Sequence, residues 1–224
     1  MLAIIQSRFN SSRLPGKALA RLGERSVLGR TFDRLRRSLE IDSIIIATSN
    51  LESDRVITEY AMNLPAKVFR GSLEDVGKRL LQASLSENAD AFVRISGDSP
   101  FIDWRIVDHA IKLYREAKPD LLTNIFHRTF PKGQSVEIIK TRKLAEICDT
   151  ERTEYEKEHV TPYFYKHVDK FRILSFTSGR DSGGTSQCID DETDLQRAEQ
   201  MLIRHEVRDL SWQEIEALLE TNDP

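Results

Sequence analysis

LAIIQ at residues 2–6 runs directly into SRFNSSRLPGKAL at 7–19. The first piece is apolar without alternation, which suits a strand buried on both faces. The second carries Arg8, Arg13 and Lys17, the serines Ser7, Ser11 and Ser12, and a Pro15–Gly16 turn. Here a buried strand empties into a basic, small-residue loop. In an open α/β sheet, that is where ligands bind, beyond the carboxyl ends of the strands.

Runs of the same kind recur at SIIIAT (43–48), KVFR (67–70), AFVRI (91–95), DLLTN (120–124), SVEII (135–139) and FRILSF (171–176). Helical stripes lie between them: Leu28, Phe32, Leu35 and Leu39; Val76, Leu80 and Ala83; Ile106, Ala110 and Leu113. Ser211 and Glu214 form a capping box for a last helix with Trp212, Ile215, Leu218 and Leu219. Strand and helix in alternation predict an α/β, Rossmann-like fold: a mostly parallel central sheet with helices on both faces. No linker, repeat or low-complexity segment divides the sequence. A single domain over 1–224 is expected, with 125–170 as a substrate-side insertion or a dimer arm.

The 224 residues hold 33 Lys and Arg against 36 Asp and Glu, a net charge of -3, which argues against nucleic acid as a partner. Cys148 and Cys188 make no CxxC pair or disulfide framework, as expected in a reducing cytoplasm. No apolar run approaches the ~18 residues of a membrane span, and no signal-peptide pattern precedes the first strand. The expected setting is cytoplasmic, with no membrane association.

Three stretches can carry chemistry. In the loop 7–17, small residues let backbone N–H groups approach phosphate oxygens and the cations surround them. It is not a Walker A loop, and the competing reading is a solvated basic loop. In ISGDSPFID (95–103), Asp98 ends a strand where Mg²⁺ can be held, or it makes an Asx turn before a helix capped by Asp103. In CIDDETDL (188–195), Asp190 can be a second metal carboxylate, while Asp191 and Asp194 suit a helix start. A basic phosphate loop with two acidic strand ends is the minimal kit for metal-assisted nucleotidyl transfer.

The stretch IIQSRFNSSRLPGKAL resembles the IIxARxxSxRLPGKxL signature of the cytidylyltransferases that activate acidic sugars. Within that superfamily the likeness is strongest to the spore-coat polysaccharide biosynthesis protein F group. VFRGSLEDV (68–76), VRISGDSPFID (93–103), RTFPKGQSVEI (128–138), EKEHVTPYF (156–164) and IDDETDL (189–195) extend it in the same order. The resemblance implies a nucleotidyltransferase fold of GT-A-like type. It also implies attack of an acceptor oxygen on the α-phosphorus of CTP, giving a CMP-linked product and pyrophosphate. Carried over by position, Arg8, Ser12, Arg13 and Lys17 hold the triphosphate, with Lys17, Arg13 and Asp98 in the catalytic set. Asp98 and Asp190 bind Mg²⁺, and Gly97 lies against the nucleotide. Arg70, Gly71 and Asp75 lie near base and ribose. Arg128, Lys132, Glu137 and His159 face a small anionic acceptor. A homodimer is among the assemblies it implies.

The sequence departs from the family pattern at Ser135, where relatives carry Asp, which bears on the acceptor. Two alternatives keep the fold: a glycosyltransferase using a nucleotide sugar, disfavoured because Asp98-Ser99-Pro100 is not DxD, and a nucleotide-binding module without catalysis. Read without the family, Glu137 alternates with apolar neighbours and is expected to face solvent. Arg34, Arg36 and Arg37 read as a solvated helix face. His109, His127, His167 and His205 form no spaced cluster, so zinc is not expected. Cys148 reads as core.

Overall fold

The computed structural model describes residues 1–221. In chain order the elements begin β1 (Leu2–Gln6), β2 (Arg21–Leu22), β3 (Arg25–Ser26), α1 (Val27–Leu35), β4 (Ser43–Ser49), α2 (Arg55–Ala61), β5 (Lys67–Gly71), α3 (Val76–Ser86), β6 (Ala91–Ser96) and α4 (Trp104–Ala117). They continue with β7 (Leu121–Thr123), β8 (Glu137–Lys140), α5 (Thr141–Cys148), α6 (Glu154–His159), α7 (Pro162–Lys166), β9 (Ile173–Ser175), α8 (Glu192–Arg204) and α9 (Trp212–Thr221).

A seven-stranded sheet runs in the order β5-β4-β1-β6-β8-β7-β9. β8 is reversed, pairing antiparallel with both β6 and β7, while β5, β4, β1 and β6 pair in parallel, as do β7 and β9. The sheet is therefore mostly parallel, with apolar clusters on both faces. One face packs Ile5, Ile46 and Val93 with Phe32 and Ile111. The other packs Ile4, Ile45 and Phe92 with Leu80, Leu144 and Phe164. A third cluster joins Leu22 and Phe101 to α8 and α9.

From β1 the chain steps outward through β4 to β5 and then returns to place β6 on β1's other side. The crevice between β1 and β6 is thus the switch point at which such sheets bind ligands. Glycine at 97 lets the two strand ends converge. Gly97 N donates to Gln6 O at 2.8 Å, and a Cβ there would sit 3.0 Å from that oxygen and from the Ser7 side chain.

Three expectations are corrected. The first helix stops at Leu35, and Leu39 is 85% exposed. Asp108 accepts from the Leu39 N–H at 3.1 Å and from the Ser38 hydroxyl, so the backbone turns away before the fourth apolar position can join the stripe. Arg34 does not face water: it is 6% exposed and donates to the carbonyls of Ile102, Val207, Arg208 and Leu210. Glu137 is 2% exposed and faces the interior. The stretch 125–170 contributes β8 to the sheet, and α5 and α6 lie against α3.

Candidate active site

The loop after β1 is built as a closed excursion. Ser7 N donates to Ala47 O at 3.0 Å, and Phe9 N donates to Asp54 Oδ1 at 2.7 Å, which ties the loop to the end of β4. Gly16 N returns to Phe9 O at 2.8 Å. Gly16 stands at φ 76, left-handed backbone that glycine adopts without a Cβ penalty. The turn after Pro15 therefore delivers Lys17 back to the sheet, where it opens a short 3-10 turn.

There the Lys17 ammonium lies 2.8 Å from Asp98 Oδ2 and 3.1 Å from Asp190 Oδ1, and Arg13 Nη2 lies 2.9 Å from the same Asp190 oxygen. Ile189 N donates to Asp98 O at 2.9 Å, so the loop after β6 and the segment before α8 are stitched together. Asp191 caps α8 in a reciprocal box with Asp194, which also accepts from Asp190 N at 2.8 Å. This frees the Asp190 carboxylate to face Lys17. Burial works against the charged lysine, but the two carboxylates outweigh it and raise its pKa. Burial likewise works against the Asp190 carboxylate, but the Lys17 hydrogen bond and the charges of Lys17 and Arg13 hold its pKa below the usual range.

Around this ion cluster opens a cleft of about 370 Å³. Arg8, Ser12, Arg13, Lys17, Gly97, Asp98, His159 and Asp190 all line it. Arg8 reaches across to Glu158 at 3.0 Å. Glu158 and His159 arrive from the end of α6, where Val160 adopts φ 70 and Thr161 N donates to His159 O at 2.8 Å. That i→i+2 turn is a strained geometry for a β-branched residue, and strain of this kind clusters at functional sites.

Other residues assigned from the sequence lie off the cleft. Arg70 donates to the carbonyls of Ser49 and Leu51, and Asp75 caps α3 and pairs with Arg152 at 2.6 Å. Gly71 is glycine because a Cβ would come within 2.9 Å of Arg79 Cγ. Arg128 donates to the Ser135 hydroxyl, and Lys132 is exposed. Glu137 accepts from Arg94 Nη1 and, at 2.9 Å, from the Tyr165 hydroxyl.

Arg94, Arg79, Gln6, Ser96 and Glu158 also line the cleft and were missed from the sequence. Arg94 and Ser96 alternate along β6 on the side of Gln6, and period 2 in that strand was the signal that could have found them. Arg79 sits among apolar residues of α3 and gave no such signal.

Asp98 and Asp190 already share one cation between them. Among the described residues no group of three or more His, Cys, Asp or Glu is arranged to hold a metal. Two converging carboxylates, with the rest of the shell left to water and phosphate, are the donor set Mg²⁺ takes with nucleotides. The residues present fit that ion.

A switch-point cleft with a basic loop and paired carboxylates defines a nucleotidyltransferase of Rossmann-like fold. A profile of the cytidylyltransferase family matches residues 2–222, and the chain belongs to that family. It is 32% identical over 178 residues to the spore coat polysaccharide biosynthesis protein SpsF of Bacillus subtilis, covering 77% of this chain and 73% of that one. A solved cytidylyltransferase from Leptospira borgpetersenii superposes with a TM-score of 0.92 at 31% identity, covering 99% of this chain and 94% of that one. CMP:2-keto-3-deoxy-manno-octonic acid synthetase, solved in complex with CTP, shares the fold at a TM-score of 0.67 and 14% identity, covering 91% of this chain and 98% of that one. No described helix is long and apolar enough to cross a membrane.

Proposed function

We propose that this enzyme transfers CMP from CTP to a small anionic acceptor such as a sugar acid, releasing pyrophosphate, with Mg²⁺ as cofactor. The observation that carries the reading is Lys17, held between Asp98 and Asp190 at the end of the basic loop. Arg8, Arg13 and Lys17, with Ser12 and the loop N–H groups, bind the triphosphate. When CTP enters, Lys17 and Arg13 exchange carboxylate partners for phosphate oxygens and neutralise the charge that grows on the α-phosphoryl group and the leaving pyrophosphate. Asp98 and Asp190 would hold Mg²⁺, which supplies further charge neutralisation when bound.

The base and ribose lie toward the β5–α3 turn, whose shape Arg70, Gly71 and Asp75 fix. The acceptor enters beside His159 and Arg94, with Glu137 behind Arg94. An ionised acceptor oxygen needs no general base, so positioning in line with the scissile bond supplies much of the rate. Arg128 and Lys132 are assigned to the acceptor side by the family likeness alone; Arg128 donates to the Ser135 hydroxyl and has no carboxylate partner among the described residues.

Calorimetry with CTP, UTP, GTP and ATP, with and without Mg²⁺, on the wild type and Lys17→Ala tests the reading. Mg²⁺-dependent CTP binding lost in the variant supports it, and pyrophosphate release across a panel of sugar acids then identifies the acceptor. Absence of triphosphate binding by the wild type overturns it.

A further inference from the structure

The loop cations all have carboxylate partners: Lys17 with Asp98 and Asp190, Arg13 with Asp190, Arg8 with Glu158. Arg94 has Glu137. Arg79 also lines the cleft and differs from them all. It is 3% exposed, and no carboxylate among the described residues lies within ion-pair distance. Its Nη1 donates to Ser72 O, while its Nε is buried without a hydrogen-bond partner. Its stem lies against Gly71, where a Cβ would come within 2.9 Å of Arg79 Cγ. Burial lowers its pKa to about 10; the charge of Asp54 and, less, that of Asp75 work against the shift, while nearby Arg8 and Arg94 add to it. An arginine remains charged even so.

A buried guanidinium with an unpartnered Nε and no ion-paired carboxylate, where Asp54 and Asp75 act only from beyond ion-pair distance against Arg8 and Arg94, is costly unless an anion completes it. We propose that Arg79 is the floor of an oxyanion subsite, separate from the Lys17–Asp98–Asp190 cluster, that takes the carboxylate, phosphate or phosphonate of the acceptor. The inference rests on the cytidylyltransferase reading for the origin of the anion, because the loop cations already serve the nucleotide phosphates. Arg94, steadied by Gln6 Oε1 at 2.9 Å and by Glu137, adds a second positive edge to the subsite.

The test uses sulfate as the oxyanion probe. Sulfate is titrated into wild type and Arg79→Met held at saturating CTP and Mg²⁺, and CTP is titrated into each protein separately. Sulfate should bind the wild-type CTP complex and raise its melting temperature above that in sodium chloride of equal ionic strength. Arg79→Met should bind sulfate at least about tenfold more weakly, as loss of charge-assisted hydrogen bonds requires, with CTP affinity within about threefold. The variant should melt no lower than wild type without sulfate, since a buried charge without an ion pair has been replaced by an apolar chain. Equal sulfate binding by the two proteins, or none to the wild-type CTP complex, overturns the subsite. A loss of CTP affinity of about tenfold in Arg79→Met overturns the acceptor assignment and gives Arg79 to a nucleotide phosphate. If wild type binds sulfate through Arg79 but no CTP, the subsite stands and the cytidylyltransferase reading falls.

Discussion

Lys17 Nζ lies 2.8 Å from Asp98 Oδ2, although 81 residues separate them in the chain. The contact joins the ends of β1 and β6 across the switch point, and it leaves the ammonium where a triphosphate would need it. Lys17→Ala removes that charge and leaves Asp98 and Asp190 facing each other with only Arg13 to separate them. CTP affinity should fall by about ten- to a hundredfold, and turnover by roughly 10²–10³, the usual loss when one fixed electrostatic contact to a transition state is deleted. Calorimetry and a pyrophosphate assay check the two figures.

The same cluster sets a pH window for stability. The pKa of Asp190 is lowered in the folded state, so its contribution is present above the ordinary carboxylate value and is lost as pH falls through the folded value. The pKa of Lys17 is raised, so its contribution is present below the ordinary lysine value and is lost as pH rises through the folded value. The difference in melting temperature between wild type and Asp190→Asn should therefore be widest between about pH 4 and pH 10 and narrow at both ends. A difference that stays constant from pH 3 to pH 11 would remove the ion cluster from the account.

The strands and the basic loop were legible because each is a local pattern. LAIIQ needs no partner to read as a buried strand, and Pro15–Gly16 announces its own turn. Asp98 was legible as an acid beyond a strand end, and Asp191 with Asp194 as a helix start; Asp190 was expected at a strand end too, but it follows an irregular segment just before α8. What failed is what only packing decides. Glu137 reads as a polar position in a strand, yet β8 is inserted between β6 and β7, where Arg94 and Tyr165 close over the carboxylate. Arg34 reads as part of a basic run, yet the 207–210 segment folds over it. Arg79 belongs to an α3 stripe whose neighbours are core, so only its lack of an ion-paired carboxylate among the described residues marks it.

Asp54 anchors the entrance of the loop after β1. Its carboxylate accepts from Phe9 N at 2.7 Å, Ser49 N at 2.9 Å and the Thr48 hydroxyl at 3.0 Å. Burial works to raise its pKa, but hydrogen bonds from Ser49, Phe9 and Thr48 outweigh it and hold the group ionised below the usual range. In Asp54→Asn the amide nitrogen must face donors on one side. The cost should be about 2 kcal/mol by chemical denaturation near neutral pH, fading below about pH 4 as the wild-type group protonates. The KM for CTP should rise as well, because the loop loses its tie to β4.

Arg34→Lys should destabilise without touching the cleft. The guanidinium spans four carbonyls on two separate segments, from 2.7 Å at Ile102 O to 3.1 Å at Arg208 O. A lysine ammonium has three donors at one point and cannot span both segments. Two or more buried carbonyls would lose their partner, at about 2–3 kcal/mol in total. For a chain of this size that lowers the melting temperature by roughly 4–12 °C. CTP affinity at a permissive temperature should match wild type.

Glu137→Gln separates a positioning role from direct acceptor contact. The carboxylate takes Arg94 Nη1 and the Tyr165 hydroxyl, while Arg94 Nε is held by Gln6 Oε1 at 2.9 Å. Glutamine keeps the shape but removes the counter-charge, so Arg94 stays near the cleft and loses its fixed orientation. The acceptor KM should rise about tenfold, with CTP affinity within about threefold, because the loop cations are untouched. Glu137→Asp should not rescue, since the shorter side chain cannot meet Arg94 and Tyr165 together. If Glu137 contacted the acceptor itself, Arg94→Gln would leave the acceptor KM near wild type while Glu137→Gln raised it. Parallel effects of the two variants place Glu137 behind Arg94 and not beside the substrate.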